Sequence, residues 1–161
     1  MDWVAEGIAI GGKRDTTAPA ALAAAGVEAV LQLHGPEPCD DAFPFTPRVL
    51  QLRVLDGVPL PEEVVRESVT FIREQRSAGR RILVACGAGQ SRSASLVAAY
   101  LCEEGLTLEA AFTLLIEGRP RVLPHPALLR SLCKLYPQQE PPEVILGRIV
   151  RFRSGRRHQG G

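Results

Sequence analysis

The stretch RILVACGAGQSRSASLVAAYL, residues 81–101, determines how the rest of the chain is interpreted. Its first part, up to Ala85, is a short apolar run that is typical of a buried strand. Its last part, from Arg92, has the composition of a helix that ends at Gly105. We therefore predict a strand, a glycine-containing loop and a helix in succession, with Cys86 at the end of the strand.

The loop between Cys86 and Arg92 has the residue types of an oxyanion site. Gly87, Ala88 and Gly89 are small, and a loop of small residues before a helix N-terminus forms a concave nest of N–H donors for a phosphate dianion. The same field lowers the pKa of a cysteine and favours the nucleophilic thiolate. An arginine can bind two phosphate oxygens with its planar guanidinium. We therefore predict a phosphate-binding loop, formed by Gly87, Ala88, Gly89, Gln90, Ser91 and Arg92.

The segment CGAGQSRSASLVAAYL (86–101) resembles the active-site loop and following helix of cysteine-based protein phosphatases of the dual-specificity class. The pattern of that family is His-Cys-x5-Arg-Ser/Thr, with a glycine three positions after the cysteine. Cys86, Gly89, Arg92 and Ser93 match this pattern. The segments GIAIGG, LAAAGVEAVLQL, RRILVAC and RPRVLPHPALLRSL resemble family segments in the same order, so that the resemblance covers residues 3–135.

The resemblance implies a phosphatase that hydrolyses phosphotyrosine through a phosphocysteine intermediate, with phosphoserine and phosphothreonine as further candidate substrates. Cys86 is then the nucleophile, Arg92 binds the phosphate, and Ser93 donates a hydrogen bond to the sulfur and makes it a better leaving group. We expect no cofactor and no metal. The loop contains no lysine, unlike that of the phosphoinositide phosphatases of the wider superfamily, which favours phosphorylated proteins as substrates.

The reaction also needs a general acid that protonates the departing oxygen. The family carries an aspartate on a loop that precedes the cysteine and lies just ahead of a helix, and Asp56 in VLDGVPLPEE occupies that place. The alternative is that Asp56 only terminates a strand, because aspartate is common in turns. Asp40 and Asp41 are the fallback candidates.

The chain departs from the family pattern at Ala85, where the family has a histidine. We expect weaker activation of Cys86 rather than its loss. Two other functions stay open. The first is a non-catalytic relative that binds phosphate in the same loop. The second is a rhodanese-type sulfurtransferase, which needs no preceding histidine but usually has a loop shorter by one residue and does not predict Asp56.

The alternation of short apolar runs with amphipathic segments predicts a single α/β domain with a short, mostly parallel central sheet of four to five strands, flanked by helices. The segment 3–12 is expected to form two short strands around a turn. The helix after it is expected over residues 16–25, with Thr16 or Thr17 as its N-cap. Further strands are predicted at 28–33, 48–55 and 80–85, and a long helix follows Pro61.

Residues 1–140 are predicted to form the catalytic domain and residues 141–161 a basic C-terminal extension. We expect a solvated or disordered tail, to which Val144, Ile145, Ile149 and Val150 add one or two amphipathic turns. Attraction to acidic or phosphorylated partners is the alternative. The arginines of the extension are Arg148, Arg151, Arg153, Arg156 and Arg157.

Charge and cysteine content limit the remaining function classes. With 19 basic and 18 acidic residues, the net charge of +1 gives no chain-wide positive field for nucleic acid, and no apolar run approaches the roughly 18 residues that span a bilayer. We therefore expect neither a nucleic-acid nor a membrane partner, and a cytoplasmic location; the oligomeric state is not predicted.

The spacing of the four cysteines is not that of metal ligands. The cysteines are Cys39, Cys86, Cys102 and Cys133. Cys102 and Cys133 are expected to be core residues.

Overall fold

A central sheet organises the structure. The computed structural model describes residues 1–34 and 47–159, and within these ranges five strands form one sheet. The strand order is β1-β2-β5-β3-β4, with β1 antiparallel to β2 and all other neighbours parallel. The predicted fold class is therefore confirmed. The strands are β1 (Asp2–Ala5), β2 (Ile8–Gly11), β3 (Ala29–Gln32), β4 (Arg48–Gln51) and β5 (Ile82–Ala85).

The three central strands are apolar because both of their faces are covered. Every residue of β2, β3 and β5 is buried. On one face Ile10, Leu31 and Val84 belong to the main core, and on the other face Val30 and Leu83 belong to a smaller cluster. Side chains of successive strand residues alternate between these two layers.

Helices cover both faces of the sheet. Leu22 of α2 closes the smaller cluster, whereas α3 to α7 contribute to the main core. The longest helix of the sequence prediction begins as expected, with Glu62 and Glu63 in its first turn and Gly79 just beyond its end at a φ of 74°. The helices are α1 (Lys13–Thr16), α2 (Pro19–Ala24), α3 (Glu62–Ser77), α4 (Arg92–Glu103), α5 (Leu108–Gly118), α6 (Pro126–Leu135) and α7 (Pro142–Gln159).

The structure differs from the predicted helix over 16–25. A short helix ends at Thr16, and the next begins at Pro19 with Ala18 as its N-cap, so the N-cap prediction was wrong. Both threonine hydroxyls instead donate hydrogen bonds to carbonyls of the preceding turn. Thr16 Oγ1 donates to the carbonyl of Lys13 at 2.7 Å, and Thr17 Oγ1 donates to the carbonyl of Arg14. Such bonds to the preceding turn are a common alternative to N-capping for threonine.

The strand predicted at 48–55 is shorter in the structure and ends at Gln51. Beyond it, the N–H of Leu52 still donates to the carbonyl of Gln32 at 2.9 Å, and the N–H of Val54 donates to that of Leu33 at 3.4 Å. The ladder is lost after this point, since the chain turns into the loop that carries Asp56. The predicted strand thus included the beginning of the candidate acid loop.

The expectation of a solvated or disordered tail was wrong. Residues 142–159 form α7, which packs against α5 and α6. Ile145 and Ile149 are each 2% exposed and belong to the main core, whereas Val150 is 42% exposed. No helix in the described residues, α7 included, is long and apolar enough to cross a membrane.

Candidate active site

The loop that follows β5 curls back toward the end of β2. The N–H of Cys86 donates to the carbonyl of Gly11 at 3.2 Å, and the N–H of Lys13 donates to the carbonyl of Gly87 at 3.0 Å. At the bend, Gly89 has a φ of 64°, in the left-handed region that favours glycine. A Cβ at this position would lie 2.6 Å from the carbonyl oxygen of Gly11. Both the backbone conformation and the available space therefore require glycine here.

The thiol of Cys86 lies at the floor of this loop and is 2% exposed. Its Sγ is 3.3 Å from the Oγ of Ser93. Burial by itself raises the pKa of Cys86, but hydrogen bonds from the Ser93 hydroxyl and from the backbone N–H groups of Ser93, Gly89 and Gln90 lower it below its ordinary value. The surroundings of Cys86 therefore favour the thiolate, which is the nucleophilic form.

The guanidinium of Arg92 is anchored at one nitrogen. Its Nη1 donates to the carbonyl of Val54 at 3.0 Å. Its Nε is buried and has no hydrogen-bond partner among the described residues. A Cβ on Gly87 would lie 2.9 Å from Nη2, so the glycine gives the guanidinium room beside the loop. A buried donor without an acceptor is costly, and an oxyanion in the loop would supply that acceptor.

Asp56 lies beside Arg92, although 36 positions separate the two residues in the sequence. One carboxylate oxygen is 3.9 Å from Arg92 Nε, and the other accepts from the N–H of Gly57 at 3.1 Å. The side chain of Asp56 is 56% exposed. The structure thus brings the candidate acid next to the arginine that ends the loop beginning at Cys86, whereas Asp40 and Asp41 lie outside the described residues.

Ala85 contributes no polar group to the site. It is fully buried and packs in the smaller cluster together with Leu83, on the face of the sheet opposite the main core. The pKa of Cys86 is lowered without it, through the serine hydroxyl and the N–H groups of the loop. A histidine before the cysteine is therefore not needed for this effect.

Arg119 supports the loop from behind, and the sequence analysis missed it. Its side chain is 5% exposed. Nε donates to the carbonyl of Gly89 at 2.7 Å, Nη2 donates to that of Ala88 at 3.2 Å, and Nη1 binds the carboxylate of Asp2. These bonds hold the loop carbonyls outward, so that the N–H groups face inward. No local signal marks Arg119 in the sequence, because it follows the end of α5 like any helix-terminal arginine.

The segment after Arg119 holds the rest of the loop. The N–H of Leu123 donates to the carbonyl of Gln90 at 3.0 Å, and the N–H of His125 donates to the Oγ of Ser91 at 2.8 Å. His125 is the N-cap of α6. Residues 119–125 therefore form a support for the loop, which the sequence analysis had not assigned.

The other cysteines in the described residues are far less reactive. Burial, followed by the charge of the neighbouring Glu103, raises the pKa of Cys102 to about 12. Burial also raises the pKa of Cys133. Both side chains are half-buried and pack against the main core, as the sequence analysis expected. Cys39 lies outside the described residues.

A family model described as "Dual specificity phosphatase, catalytic domain" matches residues 11–138. Mouse dual specificity protein phosphatase 12 is 36% identical over 124 residues, which are 73% of this chain and 35% of that protein. Rat protein phosphatase Slingshot homolog 3 is 44% identical over 68 residues, 42% of this chain and 10% of that protein. The chain thus spans about a third or less of these curated relatives.

Two solved structures share the fold. A mouse putative dual specificity phosphatase superposes with a TM-score of 0.76 at 26% identity, over 84% of this chain and 85% of that chain. Human DUSP28 superposes with a TM-score of 0.70 at 22% identity, over 99% of this chain and 100% of that chain. Since the family match covers most of the sequence and includes the whole loop from Cys86 to Arg92, the chain belongs to the dual specificity phosphatase catalytic-domain family.

Proposed function

We propose that this protein is a cysteine-dependent protein phosphatase that hydrolyses phosphotyrosine, with phosphoserine and phosphothreonine as further substrates to be tested. The observation that carries the proposal is the pairing of two groups across one loop. Cys86 has a lowered pKa at the floor, and Arg92 has a buried Nε that makes no hydrogen bond within the described residues. A thiolate and a guanidinium at the two ends of one loop of N–H donors suit an entering phosphate dianion.

Binding would use the inward N–H groups of residues 87–92 and the guanidinium of Arg92. Donors that are already fixed stabilise the equatorial oxygens of the transition state without reorganisation. The solved mouse neighbour was crystallised with zinc tungstate, and tungstate is an oxyanion of similar shape to phosphate. This supports an oxyanion as the ligand of the loop.

Catalysis would proceed in two displacements at phosphorus. The thiolate of Cys86 attacks, the bond from phosphorus to the leaving oxygen breaks, and protonated Asp56 gives its proton to that oxygen. Water then attacks the phosphocysteine, the carboxylate of Asp56 accepts a proton from it, and the sulfur departs as a thiolate. Ser93, whose Oγ is 3.3 Å from Sγ, would stabilise that departing thiolate.

The test is hydrolysis of phosphotyrosine peptides by the wild type, Cys86→Ser and Asp56→Asn. The proposal expects turnover with a stoichiometric burst in the wild type, no turnover in Cys86→Ser, and a loss of about 10²–10⁴-fold in Asp56→Asn. Phosphatidylglycerophosphate in the same assay tests a lipid substrate, because one relative of this chain is an Arabidopsis phosphatidylglycerophosphate phosphatase. Turnover that survives Cys86→Ser would contradict the proposal.

A non-catalytic phosphate-binding module is the second candidate. It is favoured by the exposure of Asp56, whose carboxylate is 3.9 Å from Arg92 Nε and makes no hydrogen bond to it. Such a module would bind phosphotyrosine peptide without turnover, and Asp56→Asn would leave the affinity unchanged. The rhodanese-type alternative has less support, because the family match is to phosphatases.

We also propose a domain division, a class of partners and a location for this protein. Residues 1–140 would carry the catalytic machinery, and residues 141–161 would be its C-terminal extension; the family match ends at residue 138, which supports this division. The partners would be phosphorylated proteins or peptides. A cytoplasmic location would keep the thiol of Cys86 reduced, and Cys86 is a free cysteine in the structure.

A further inference from the structure

His125 joins the phosphate-binding loop to the loop that carries Asp56. Its backbone N–H donates to Ser91 Oγ at 2.8 Å, which fixes the residue beside the phosphate-binding loop. Its ring lies on the other side against the acid loop. A Cβ built on Gly57 would lie 3.6 Å from Nε2 and 3.7 Å from Cε1 of this ring. The imidazole therefore lies beside the residue next to Asp56, at the distance at which a side chain on Gly57 would touch it.

The ring does more than cap a helix. Nδ1 accepts the N–H of Ala127 at 3.1 Å, which caps α6. Because Nδ1 is an acceptor in this bond, the proton of the neutral ring is on Nε2, the atom that faces Gly57. Capping alone would be served at least as well by asparagine, aspartate or serine, which are the preferred N-caps. The imidazole is longer than these side chains, and it extends to the position beside Gly57.

Helix α6 also holds the far end of the acid loop. The N–H of Leu60 donates to Ser131 Oγ at 3.0 Å, and this hydroxyl donates in turn to the carbonyl of Ala127. The near end is held by the bond from Arg92 Nη1 to the carbonyl of Val54. Between these two anchors the loop is largely exposed, and the ring of His125 lies beside Gly57 in its middle.

We propose that His125 is a positioning residue for the general acid: its imidazole, anchored on Ser91 and on α6, supports the Asp56–Gly57 turn and keeps the carboxyl group over the phosphate-binding loop. The inference rests on the proposed phosphatase function. It assigns to His125 no contact with the reacting atoms. The ring acts through Gly57, whose N–H is hydrogen-bonded to the Asp56 carboxylate at 3.1 Å.

Aryl phosphates of graded leaving-group quality test this role, because a general acid matters most when the leaving oxygen is strongly basic. His125→Asn keeps a side chain that can cap α6 but removes the ring. We expect kcat/KM to fall roughly tenfold for phenyl phosphate, as part of the 10²–10⁴-fold contribution of an acid. With p-nitrophenyl phosphate, whose leaving group departs readily as an anion, we expect a change of less than about twofold.

Two controls separate positioning from stability. Thr107→Ala removes the N-cap of α5, where Thr107 Oγ1 accepts the N–H of Ala110 at 3.2 Å, and it should lower the melting temperature without changing the leaving-group dependence. In an Asp56→Asn background, His125→Asn should have no further effect, since the group that the ring positions is already absent. His125→Ala should lose both the cap and the ring.

The outcomes distinguish the two proposals. A wild type that hydrolyses no aryl phosphate overturns the phosphatase function and this inference with it. If the wild type is active and Asp56→Asn shows the loss expected of an acid, but His125→Asn has the leaving-group dependence of the wild type, the positioning role alone is wrong. Equal losses with both esters, or additive losses in the double variant, would likewise contradict it.

Discussion

Arg119 Nε donates a 2.7 Å hydrogen bond to the carbonyl oxygen of Gly89, across 30 positions of sequence. A second bond from the same guanidinium reaches the carbonyl of Ala88 at 3.2 Å. The two bonds fix the orientation of the peptide groups whose N–H ends, those of Gly89 and Gln90, face Cys86. An arginine at the end of α5 therefore shapes the candidate phosphate site.

Arg119→Lys keeps the charge but loses the planar fork that reaches both carbonyls. Because hydrogen bonds to charged groups contribute about 1.5–3 kcal/mol each, we expect the free energy of unfolding to fall by about that amount. We also expect weaker inhibition by vanadate, a phosphate analogue. Urea denaturation and vanadate titration measure these effects. Arg156→Lys is the control, because exposed Arg156 makes one 3.4 Å bond to a carbonyl and should change neither quantity.

Gly89→Ala should disrupt the loop, and Gly79→Ala provides a matched comparison. Both glycines have positive φ values, 64° and 74°, but a Cβ at Gly89 would lie 2.6 Å from the carbonyl oxygen of Gly11, whereas nothing lies within 4 Å at Gly79. Gly79→Ala should cost only the left-handed strain of about 1–2 kcal/mol. We expect Gly89→Ala to be less stable than Gly79→Ala in urea and to lose phosphate binding. Equal stability would show that the close contact is relieved at no cost.

Ser93→Ala should move the ionisation of Cys86 to higher pH. The hydroxyl stabilises the thiolate, so its removal raises the pKa of Cys86. Since the lost hydrogen bond stabilises the charged form of the sulfur, we expect the ionisation of Cys86 to shift to higher pH. The pH dependence of alkylation by iodoacetamide measures the ionisation of Cys86. The alkylation rate should rise at higher pH in the variant than in the wild type.

Ser95→Ala is the control for this shift. Ser95 is also buried on α4, and its Oγ has no hydrogen-bond partner among the described residues. Its alkylation profile should coincide with that of the wild type. A Ser93→Ala profile that also coincides would contradict the role of the hydroxyl.

Ile149→Ala should destabilise the whole fold, because α7 belongs to the main core. Ile149 is 2% exposed, and removing a buried isoleucine side chain to alanine costs about 2–5 kcal/mol. Val150→Ala, at a position 42% exposed, should change the free energy of unfolding by less than about 0.5 kcal/mol. Urea denaturation compares the two variants. Similar small effects would indicate that α7 is only loosely attached.

The sequence predicted those elements of the fold whose signals are local. The buried strands are short apolar runs, and the helix after Pro61 begins with two acidic residues in its first turn. The N-cap of α2 could not be found in this way. Two threonines were available there, and both hydroxyls bond to the preceding turn instead.

The C-terminal segment that forms α7 is a case in which the prediction from sequence failed. The arginines between Arg148 and Arg156 suggested a solvated segment, yet Ile145 and Ile149 are placed four residues apart and pack into the core. Several of the arginines pair on the surface, as Arg148 does with Glu109 at 3.1 Å. Charge composition indicates what a segment can expose, but whether its apolar side is buried depends on a partner surface elsewhere in the chain.

The order of residues along the chain was sufficient to predict the chemistry, because Cys86, the small loop residues and Arg92 lie in one short segment and their proposed roles follow from residue type and spacing. The tertiary structure decided which distant groups lie beside the loop. Sequence analysis named Asp56 only through the family resemblance, and it did not assign Arg119 or His125 to the candidate site. All three lie there through contacts between residues far apart in the sequence, and such contacts leave no periodic or local mark in the sequence.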